Sequence, residues 1–335
     1  MLKSFFRHYL ELPAKAEKVV CLGGGVGTAQ ILKGLRDSLF DLTAVVSMAD
    51  DGGSAGRLRR AFSVPPPGDL VNCLAALSDE ESILKKLFVF RFKGERYGKD
   101  TDLSGQKLGN LIFVALTHIY DGDTNRALEE FSKIISSKGR VLPATIGDVN
   151  IWALTKKGKK VYGEEKIDLG KYSGGRSLKE VYLDPPNIKA YSRTIDTIKK
   201  TDVVIAGPGD LFSTVLPVLI VPQIKRVLKK LKARKIYIVN IANKPFETSG
   251  FKVSDYLYTI KKHLGGDIFD TILVNTNQKP KMPSHLNYKY VIYDKDNLND
   301  YRKNIVTGDF ISRDYPLYHD SYKVAKTINN FIFAR

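Results

Sequence analysis

The stretch KVVCLGGGVGT, residues 18–28, decides the fold class of this sequence. Residues 18–22 are a short apolar run that ends in glycines, which is typical of a buried parallel strand. The pattern then predicts a helix at about 27–38 and a second strand at 41–48. Strand, glycine loop, helix and strand make a βαβ unit, so the sequence indicates an α/β fold.

Strand-like and helix-like segments follow one another along the rest of the chain. A strand and a loop are predicted at 203–211, and two more buried strands at 235–243 and 270–276. Consecutive helical patterns at about 107–119 and 125–136 indicate a helical insertion. We therefore expect a doubly wound, mainly parallel sheet whose glycine loops share one edge.

The chain has 335 residues, enough for one large α/β domain. We expect residues 1–17 to form an N-terminal tail, either mobile or a surface helix, and residues 18–335 to form a single domain. No segment approaches 18 unbroken apolar residues, so no membrane span is expected. Cys21 and Cys73 have apolar neighbours, which favours buried thiols over a disulfide. These features predict a cytoplasmic protein.

The formal net charge is +17, which is compatible with nucleic acid, an acidic membrane surface or anionic small ligands. Basic clusters occur at 156–160 and 229–235, and neither contains an aromatic residue. Proteins that bind single strands interleave the two residue types. We therefore favour anionic small ligands over nucleic acid.

The glycine loop GGGVGT, residues 23–28, is the first candidate ligand site. Glycines let the backbone approach a ligand, and free N–H groups at a helix N-terminus favour phosphate. The loop is not GxGxxG, because Thr28 stands where that pattern has Gly or Ala, and it lacks the GK[ST] ending of a P-loop. It predicts a phosphate contact, with a tight turn that binds nothing as the alternative.

Two adjacent carboxylates, Asp50 and Asp51, end the second predicted strand. In dinucleotide-binding folds an acidic residue at this place receives ribose hydroxyls. Capping or solvation of the next loop is a second interpretation. A bound magnesium ion is a third, because adjacent carboxylates suit hard cations.

The segment GGSAG, residues 52–56, matches the GxSxG pattern of hydrolases. Two aspartates precede it and no later histidine has a recognisable triad setting, so a hydrolase is disfavoured. The several glycines of this segment, beside Arg57 and Arg59, more naturally form an anion-binding nest. Arg57 is expected to make bidentate bonds to phosphate.

PPPGD, residues 65–69, leads into a helix predicted from about Leu70 to Leu77. Asp69 at the N-cap would satisfy backbone donors. Asp69 and Asn72 also lie one turn apart, away from the apolar face, where they would together recognise a polar ligand. Both interpretations stay open.

A second glycine loop, GPGDLFST at 207–214, directly follows a predicted strand, and Asn240 stands at the end of another. Ligands of open parallel sheets bind beyond the carboxyl ends of the strands. Several strand ends therefore present glycines, acids or amides to one edge.

The segments ADDGGSAGRLR (49–59) and PPPGDLVNCLAAL (65–77) resemble the YvcK branch of the YvcK/CofD family, the gluconeogenesis factors. Supporting segments follow in order, among them LGNLIFVAL (108–116) and NIANKPFETSGFKVSD (240–255). The resemblance covers about residues 18–328. Four positions depart from the family pattern: Val26, Gln106, Asp210 and Tyr318.

The resemblance implies a Rossmann-like domain that binds a nucleotide sugar, typically UDP-N-acetylglucosamine, and acts in cell shape and cell-wall precursor balance during gluconeogenic growth. The CofD branch implies the alternative, a magnesium-dependent 2-phospho-L-lactate transferase. The sequence offers no convincing nucleophile or general base, which favours binding over catalysis. NAD as the nucleotide, a regulatory protein partner and a homo-oligomer are compatible with this interpretation.

The candidate ligand-binding residues are Gly24, Gly25, Gly27, Thr28, Asp50, Asp51, Gly53, Ser54, Arg57, Asp69, Asn72, Asn110, Gly207, Gly209, Leu211 and Asn240. Asp50 and Asp51 are the candidate ligands for magnesium.

Overall fold

The computed structural model describes residues 16–79, 83–99, 102–173, 177–298 and 304–333. The predicted N-terminal tail therefore lies almost wholly outside the described residues, and the division into a tail and one domain stays a prediction.

Seven of the described strands form one large sheet, and all of its strands run parallel. The strands are β1 (Glu17–Gly23), β2 (Phe40–Val46), β3 (Arg140–Pro143), β4 (Asn150–Thr155), β5 (Lys160–Tyr162), β6 (Leu178–Asp184), β7 (Val203–Ala206), β8 (Arg234–Ile238), β9 (Ala242–Asn243), β10 (Thr271–Asn275), β11 (Lys289–Tyr290) and β12 (Asn304–Gly308). The order in the large sheet is β12-β10-β8-β7-β1-β2-β3. The chain leaves β1 towards β2 on one side and later returns to β7 on the other. The strand order therefore reverses between β1 and β7, which is where open α/β sheets bind ligands.

Helices cover this sheet, and the fold is the expected doubly wound α/β arrangement. The helices are α1 (Gly25–Leu35), α2 (Gly53–Phe62), α3 (Pro67–Leu77), α4 (Ile83–Val89), α5 (Leu108–Ile119), α6 (Thr124–Ile134), α7 (Glu164–Asp168), α8 (Ser192–Lys199), α9 (Leu216–Leu219), α10 (Pro222–Lys230), α11 (Val253–Leu264) and α12 (Ser321–Phe333). Helix α1 buries Ile31, Leu32 and Leu35 and packs against α3 and α12. The run from α4 to α6 between β2 and β3 is the predicted helical insertion.

The turn-rich region at 140–185 contains a small sheet that stands apart from the large one. Strands β5, β4 and β6 pair antiparallel in that order. The short helix α7 follows β5 and brings Glu164 and Asp168 to the carboxyl edge of the large sheet, where the site lies.

Buried apolar side chains from Val19 to Ile332 form one contiguous cluster. Cys21 and Cys73 are both free and buried, as expected, and burial raises the pKa of the Cys21 thiol to about 12. No single helix in the described ranges is long and apolar enough to cross a membrane. The bent pair Leu211–Leu219 and Pro222–Lys230 meets that test together, but its apolar side chains, Leu216 and Ile224 among them, are buried in the core.

Candidate functional site

The two glycine loops meet where the strand order reverses. Gly27 lies directly against the second loop, because a Cβ at that position would come within 2.4 Å of the Pro208 carbonyl oxygen. Thr28 is buried, and its Oγ1 accepts a hydrogen bond of 2.9 Å from the Gly24 amide. Gly25 has a φ of +61° and nothing within 4 Å of where a Cβ would stand. Gly27 and Thr28 therefore shape the loop, and Gly25 faces open space.

A cavity of about 200 Å³ lies between these loops and the segment 317–319, and we call it the loop cavity. Gly24, Gly25 and Gly209 line it, as the sequence predicts. Asn240 also lines it, but its side chain is engaged by the second glycine loop. Its Nδ2 donates to the Gly209 carbonyl at 2.9 Å and its Oδ1 accepts from the Gly209 amide at 3.4 Å.

A larger cavity of about 750 Å³, which we call the cleft, continues from the loop cavity. The two share five lining residues, which are Gly25, Val26, Asp210, Thr214 and Tyr288. The cleft also receives the predicted residues Asp50, Ser54, Asp69, Asn72 and Asn110. The structure therefore brings most of the candidate residues together along one continuous depression.

Two carboxyl groups in the cleft, those of Asp50 and Asp69, have raised pKa values. Burial raises the pKa of Asp50 to about 7, and the nearby carboxylate of Asp69 adds to the shift. Burial likewise raises the pKa of Asp69 to about 6, although the Gly25 amide donates to it and lowers the pKa. Near neutral pH both groups can therefore accept or release a proton.

Residues Asn72, Lys107 and Asn110 form a polar wall of the cleft at the start of α5. Lys107 donates a hydrogen bond to Asn72 Oδ1, and burial lowers the pKa of Lys107 to about 8, with Arg91 and Arg96 adding to the effect. Asn110 is buried and its Oδ1 has no hydrogen-bond partner within the described residues. A buried amide oxygen without a partner is costly, and it belongs to a residue that lines the cleft.

The sequence analysis missed the basic side chains of the cleft. Arg91 and Arg96 line it together with Lys107 and Lys244. Arg91 also donates to Ser54 Oγ at 3.1 Å and to the Gly105 carbonyl at 2.7 Å. The available signal is the segment RFKGERYGK, residues 91–99, in which basic and aromatic residues alternate. We call it the basic segment.

The expectation that Arg57 binds phosphate is wrong. Arg57 is only 1% exposed. Its guanidinium donates to the backbone carbonyls of Glu95, Arg96, Asp102 and Ser104. The glycines before it do not form a loop nest, because α2 begins at Gly53. Arg57 therefore fixes the basic segment in place and does not reach the cleft.

Asp50 and Asp51 do not form one site. Asp51 Oδ1 accepts a hydrogen bond of 2.7 Å from the Glu165 amide, at the start of α7, and Asp51 lines a separate cavity with Arg59 and Arg60. Successive residues of extended chain point to opposite sides, so only Asp50 enters the cleft. The pair therefore does not fit the predicted magnesium site. Asp50 Oδ1 accepts a hydrogen bond of 3.0 Å from the Gly52 amide of the next loop, whereas the bond of Asp51 is to a distant helix.

One of the two interpretations of Asp69 is wrong, and three further candidates lie outside both cavities. Asp69 is not an N-cap, since α3 begins at Pro67 with Pro66 as its cap residue. Gly53 packs against the Arg96 side chain and Gly207 against the Ile238 carbonyl. Leu211 is 1% exposed in the core. None of Gly53, Gly207 and Leu211 lines the cleft or the loop cavity.

One acidic cluster beside the cleft is already occupied by a lysine. Asp168, Asp210 and Glu247 lie close enough to hold a metal ion, but Lys244 pairs with all three, at 2.6 Å from Asp210 and 3.4 Å from Glu247. Burial disfavours the charged ammonium, and the three carboxylates outweigh burial and hold the pKa of Lys244 well above its usual value. The cluster is a closed ion-pair network.

Comparisons with known proteins point to one family. The model of the family described as 2-phospho-L-lactate transferase CofD matches residues 19–311. The gluconeogenesis factor of Bacillus subtilis (strain 168) is 38% identical over 319 residues, which cover 93% of this chain and 96% of that protein. The gluconeogenesis factor of Halalkalibacterium halodurans is 37% identical over 94% of this chain and 96% of its own length.

A crystal structure shows the same fold. A member of the UPF0052 family from Bacillus halodurans superposes with a TM-score of 0.85 at 36% identity, covering 94% of this chain and 99% of that chain. Sequence and structure therefore agree over nearly the whole chain, and the protein belongs to the CofD/YvcK family.

Proposed function

We propose that this protein binds a nucleotide sugar, with UDP-N-acetylglucosamine as the ligand, and that its occupancy regulates cell shape and cell-wall precursor balance during gluconeogenic growth. The observation that carries the proposal is the continuity of the loop cavity with the cleft. A nucleotide sugar has a base and ribose at one end, a sugar at the other, and a diphosphate between them. Relatives named gluconeogenesis factor support the link to carbon metabolism.

The diphosphate has a favourable place in the cleft. Arg91, Arg96 and Lys107 line it, and none of them forms an ion pair within the described residues. Asp50 and Asp69 also line it, but their raised pKa values reduce the negative charge that they present near neutral pH. The N-terminus of α1 adds backbone N–H groups beside Gly25. Cations and amides therefore face the same space.

The sugar end fits the polar wall. Asn110 Oδ1 needs a donor, and the hydroxyl and acetamido groups of N-acetylglucosamine supply donors. Asp69 and Asp50 offer further acceptors when ionised. Acceptors of this kind discriminate strongly between ligands that carry a donor at this place and ligands that lack one, because a ligand without the donor leaves a buried oxygen unpaired.

Thermal melting with a panel of nucleotides tests the proposal. A ligand that binds only the folded state raises the free energy of unfolding by about 2.7 kcal/mol at a hundred times its dissociation constant. UDP-N-acetylglucosamine should raise the melting temperature most, UMP less, and ATP and NAD least. If no nucleotide sugar shifts the melting temperature, the proposal is wrong.

A second candidate function is a CofD-like group transfer. The observation in its favour is the pair Asp50 and Asp69, whose pKa values of about 7 and 6 suit a general base. Incubation with UDP-N-acetylglucosamine and magnesium, followed by an assay for UMP and N-acetylglucosamine 1-phosphate, separates the two, because transfer of the phosphorylated group to water breaks the diphosphate and releases UMP. Binding without release supports the regulatory protein, and steady release that Asp50→Asn abolishes supports the transferase.

A further inference from the structure

The short helix α4 in the helical insertion leaves large apolar side chains uncovered. Ile83 is 67% exposed and Leu87 is 44% exposed, and Phe90, directly after the helix, is 50% exposed. Phe88 is buried, and its ring centroid lies 4.7 Å from that of Phe131 in α6. One side of α4 is therefore anchored in the core, and nothing within the described residues covers the other side.

The exposed side chains share one face of the helix. The Phe90 amide donates to the Leu87 carbonyl at 3.1 Å, so the last turn includes Phe90. Successive residues of an α-helix are about 100° apart around its axis. The exposed apolar side chains then fall within an arc of about 120°, in the order Phe90, Ile83, Leu87 and Leu84. An apolar stripe of this width normally packs against a partner, and we call it the α4 face.

The charges at the two ends of the α4 face have opposite signs. Residues 79–81, shortly before the helix in the sequence, are Asp, Glu and Glu, whereas Arg91 and Lys93 follow it. A twofold axis perpendicular to α4 sets two copies of the helix antiparallel, so the start of each lies beside the end of the other. The acidic end of one copy is then next to the basic end of the second, with one apolar stripe against the other.

Other partners match the α4 face less well. A membrane surface of anionic lipids attracts Lys93 and repels the acidic run at 79–81. A protein surface of uniform charge meets the same conflict. A second copy of this chain matches both ends and the apolar stripe at once.

We propose that the α4 face is a dimer interface, in which α4 packs antiparallel against α4 of a second copy of this chain. Leu87 lies close to the twofold axis, because it is midway between Ile83 and Phe90. The basic segment begins directly after Phe90, so the interface also braces the start of the segment from which Arg91 and Arg96 line the cleft. This inference concerns the assembly and does not rest on the identity of the ligand.

Sedimentation velocity over the micromolar range tests the proposal on the full chain without added ligand. The wild-type protein should sediment with twice the mass of the chain. Leu87→Glu sets two like charges beside each other at the axis and should raise the dimer dissociation constant roughly 100-fold. Leu87 is partly exposed, so this variant should keep its fold, which circular dichroism checks. Tyr322→Glu is the matched control, because Tyr322 is 74% exposed on α12, and it should leave the dimer intact.

Cysteine crosslinking tests the orientation of the two helices. Cys21 and Cys73 are buried, so a mild oxidant should link only an introduced surface thiol. Leu87→Cys should form a disulfide-linked dimer, since a disulfide requires roughly 4.4–6.8 Å between Cα atoms and residues near the axis come that close. Ile83→Cys and Phe90→Cys should crosslink when the two variants are mixed and much less when each is alone.

Four outcomes would overturn this interface. One is wild-type protein that stays monomeric throughout the concentration range, and another is a dimer that Leu87→Glu leaves intact. A third is monomeric protein that cosediments with vesicles of phosphatidylglycerol unless it carries Leu87→Glu, which would assign the α4 face to a membrane. The fourth is Ile83→Cys protein that crosslinks as well alone as in the mixture, which would contradict the antiparallel arrangement. Nucleotide-sugar binding stands or falls independently of all four.

Discussion

The guanidinium of Arg57 donates a hydrogen bond of 2.8 Å to the backbone carbonyl of Ser104, 47 residues away along the chain. It also binds the carbonyls of Glu95 and Arg96 in the basic segment. One buried side chain in α2 thus holds the chain at several points between Arg91 and Lys107, which both line the cleft. Arg57 therefore positions cationic residues of the cleft.

Replacing Arg57 should therefore weaken the fold before it weakens binding. Arg57→Ala leaves several buried carbonyls without a donor, and we expect the free energy of unfolding of the unliganded protein to fall by about 2–4 kcal/mol. Thermal or urea unfolding without ligand measures this. Arg60→Ala is the control, since Arg60 lies on the same helix but is exposed. An unliganded Arg57→Ala protein as stable as wild type would contradict the positioning role.

Replacing Arg96 should weaken ligand binding and leave the stability of the fold nearly unchanged. Arg96 is exposed and lines the cleft, so Arg96→Ala should leave the melting temperature of the unliganded protein nearly unchanged. Loss of a charge-assisted contact to diphosphate, worth about 1.5–3 kcal/mol, should lower affinity for UDP-N-acetylglucosamine roughly 10- to 100-fold. Calorimetry at two salt concentrations measures it. Lys93→Ala is the matched control, because Lys93 is exposed in the same segment and does not line the cleft. Equal losses in both variants would indicate a general charge effect.

The βαβ unit could be predicted from the sequence because its signals are local. The apolar run before the triple glycine, and Ile31, Leu32 and Leu35 on one face of α1, indicate strand, loop and helix without distant contacts. Helix α2 was not predicted, because its glycines at positions 52, 53 and 56 favour a loop. A Cβ at position 56 would lie only 2.0 Å from the Asp51 carbonyl oxygen, so only glycine fits there. Close packing therefore requires glycine inside α2, although glycine has a low helix propensity.

The site was predictable only in part, for a different reason. Asp50 and Asp51 look equivalent in sequence, yet one faces the cleft and the other binds the Glu165 amide. That difference depends on α7, which is more than a hundred residues further along the chain. Likewise, whether an arginine contacts phosphate or backbone depends on what surrounds it. Arg57, which the motif assigns to phosphate, binds backbone carbonyls, whereas Arg96, to which the motif assigns no role, lines the cleft.

The raised pKa of Asp50 predicts how stability depends on pH. The folded state holds the proton up to about pH 7, whereas the unfolded chain releases it near pH 4. Between these values the folded state binds more protons, so this group's contribution to stability is full below pH 4 and is lost as the pH rises through 7. Asp50→Asn removes the ionisation, so the advantage of the variant over wild type should be smallest near pH 4 and should grow by up to about 4 kcal/mol by pH 8, because each pH unit between 4 and 7 contributes about 1.4 kcal/mol. Parallel pH profiles for wild type and Asp50→Asn would contradict the assignment.

Replacing Asn110 should lower the affinity for the ligand without lowering the stability of the unliganded protein. Its Oδ1 is buried without a partner in the described part of the unliganded protein. Asn110→Leu keeps the branched shape and the number of side-chain heavy atoms and removes the unpaired oxygen, so the unliganded variant should be as stable as wild type or about 1 kcal/mol more stable. Affinity for UDP-N-acetylglucosamine should fall at least tenfold, because the donor on the ligand then meets an apolar group. Thermal melting and calorimetry on one preparation measure both effects.

Asn125→Leu is the matched control, since its Oδ1 is also unpartnered but lies outside the cleft, and it should leave affinity unchanged. A variant at position 110 that is both much less stable and unchanged in affinity would show that Asn110 serves the fold and not the ligand.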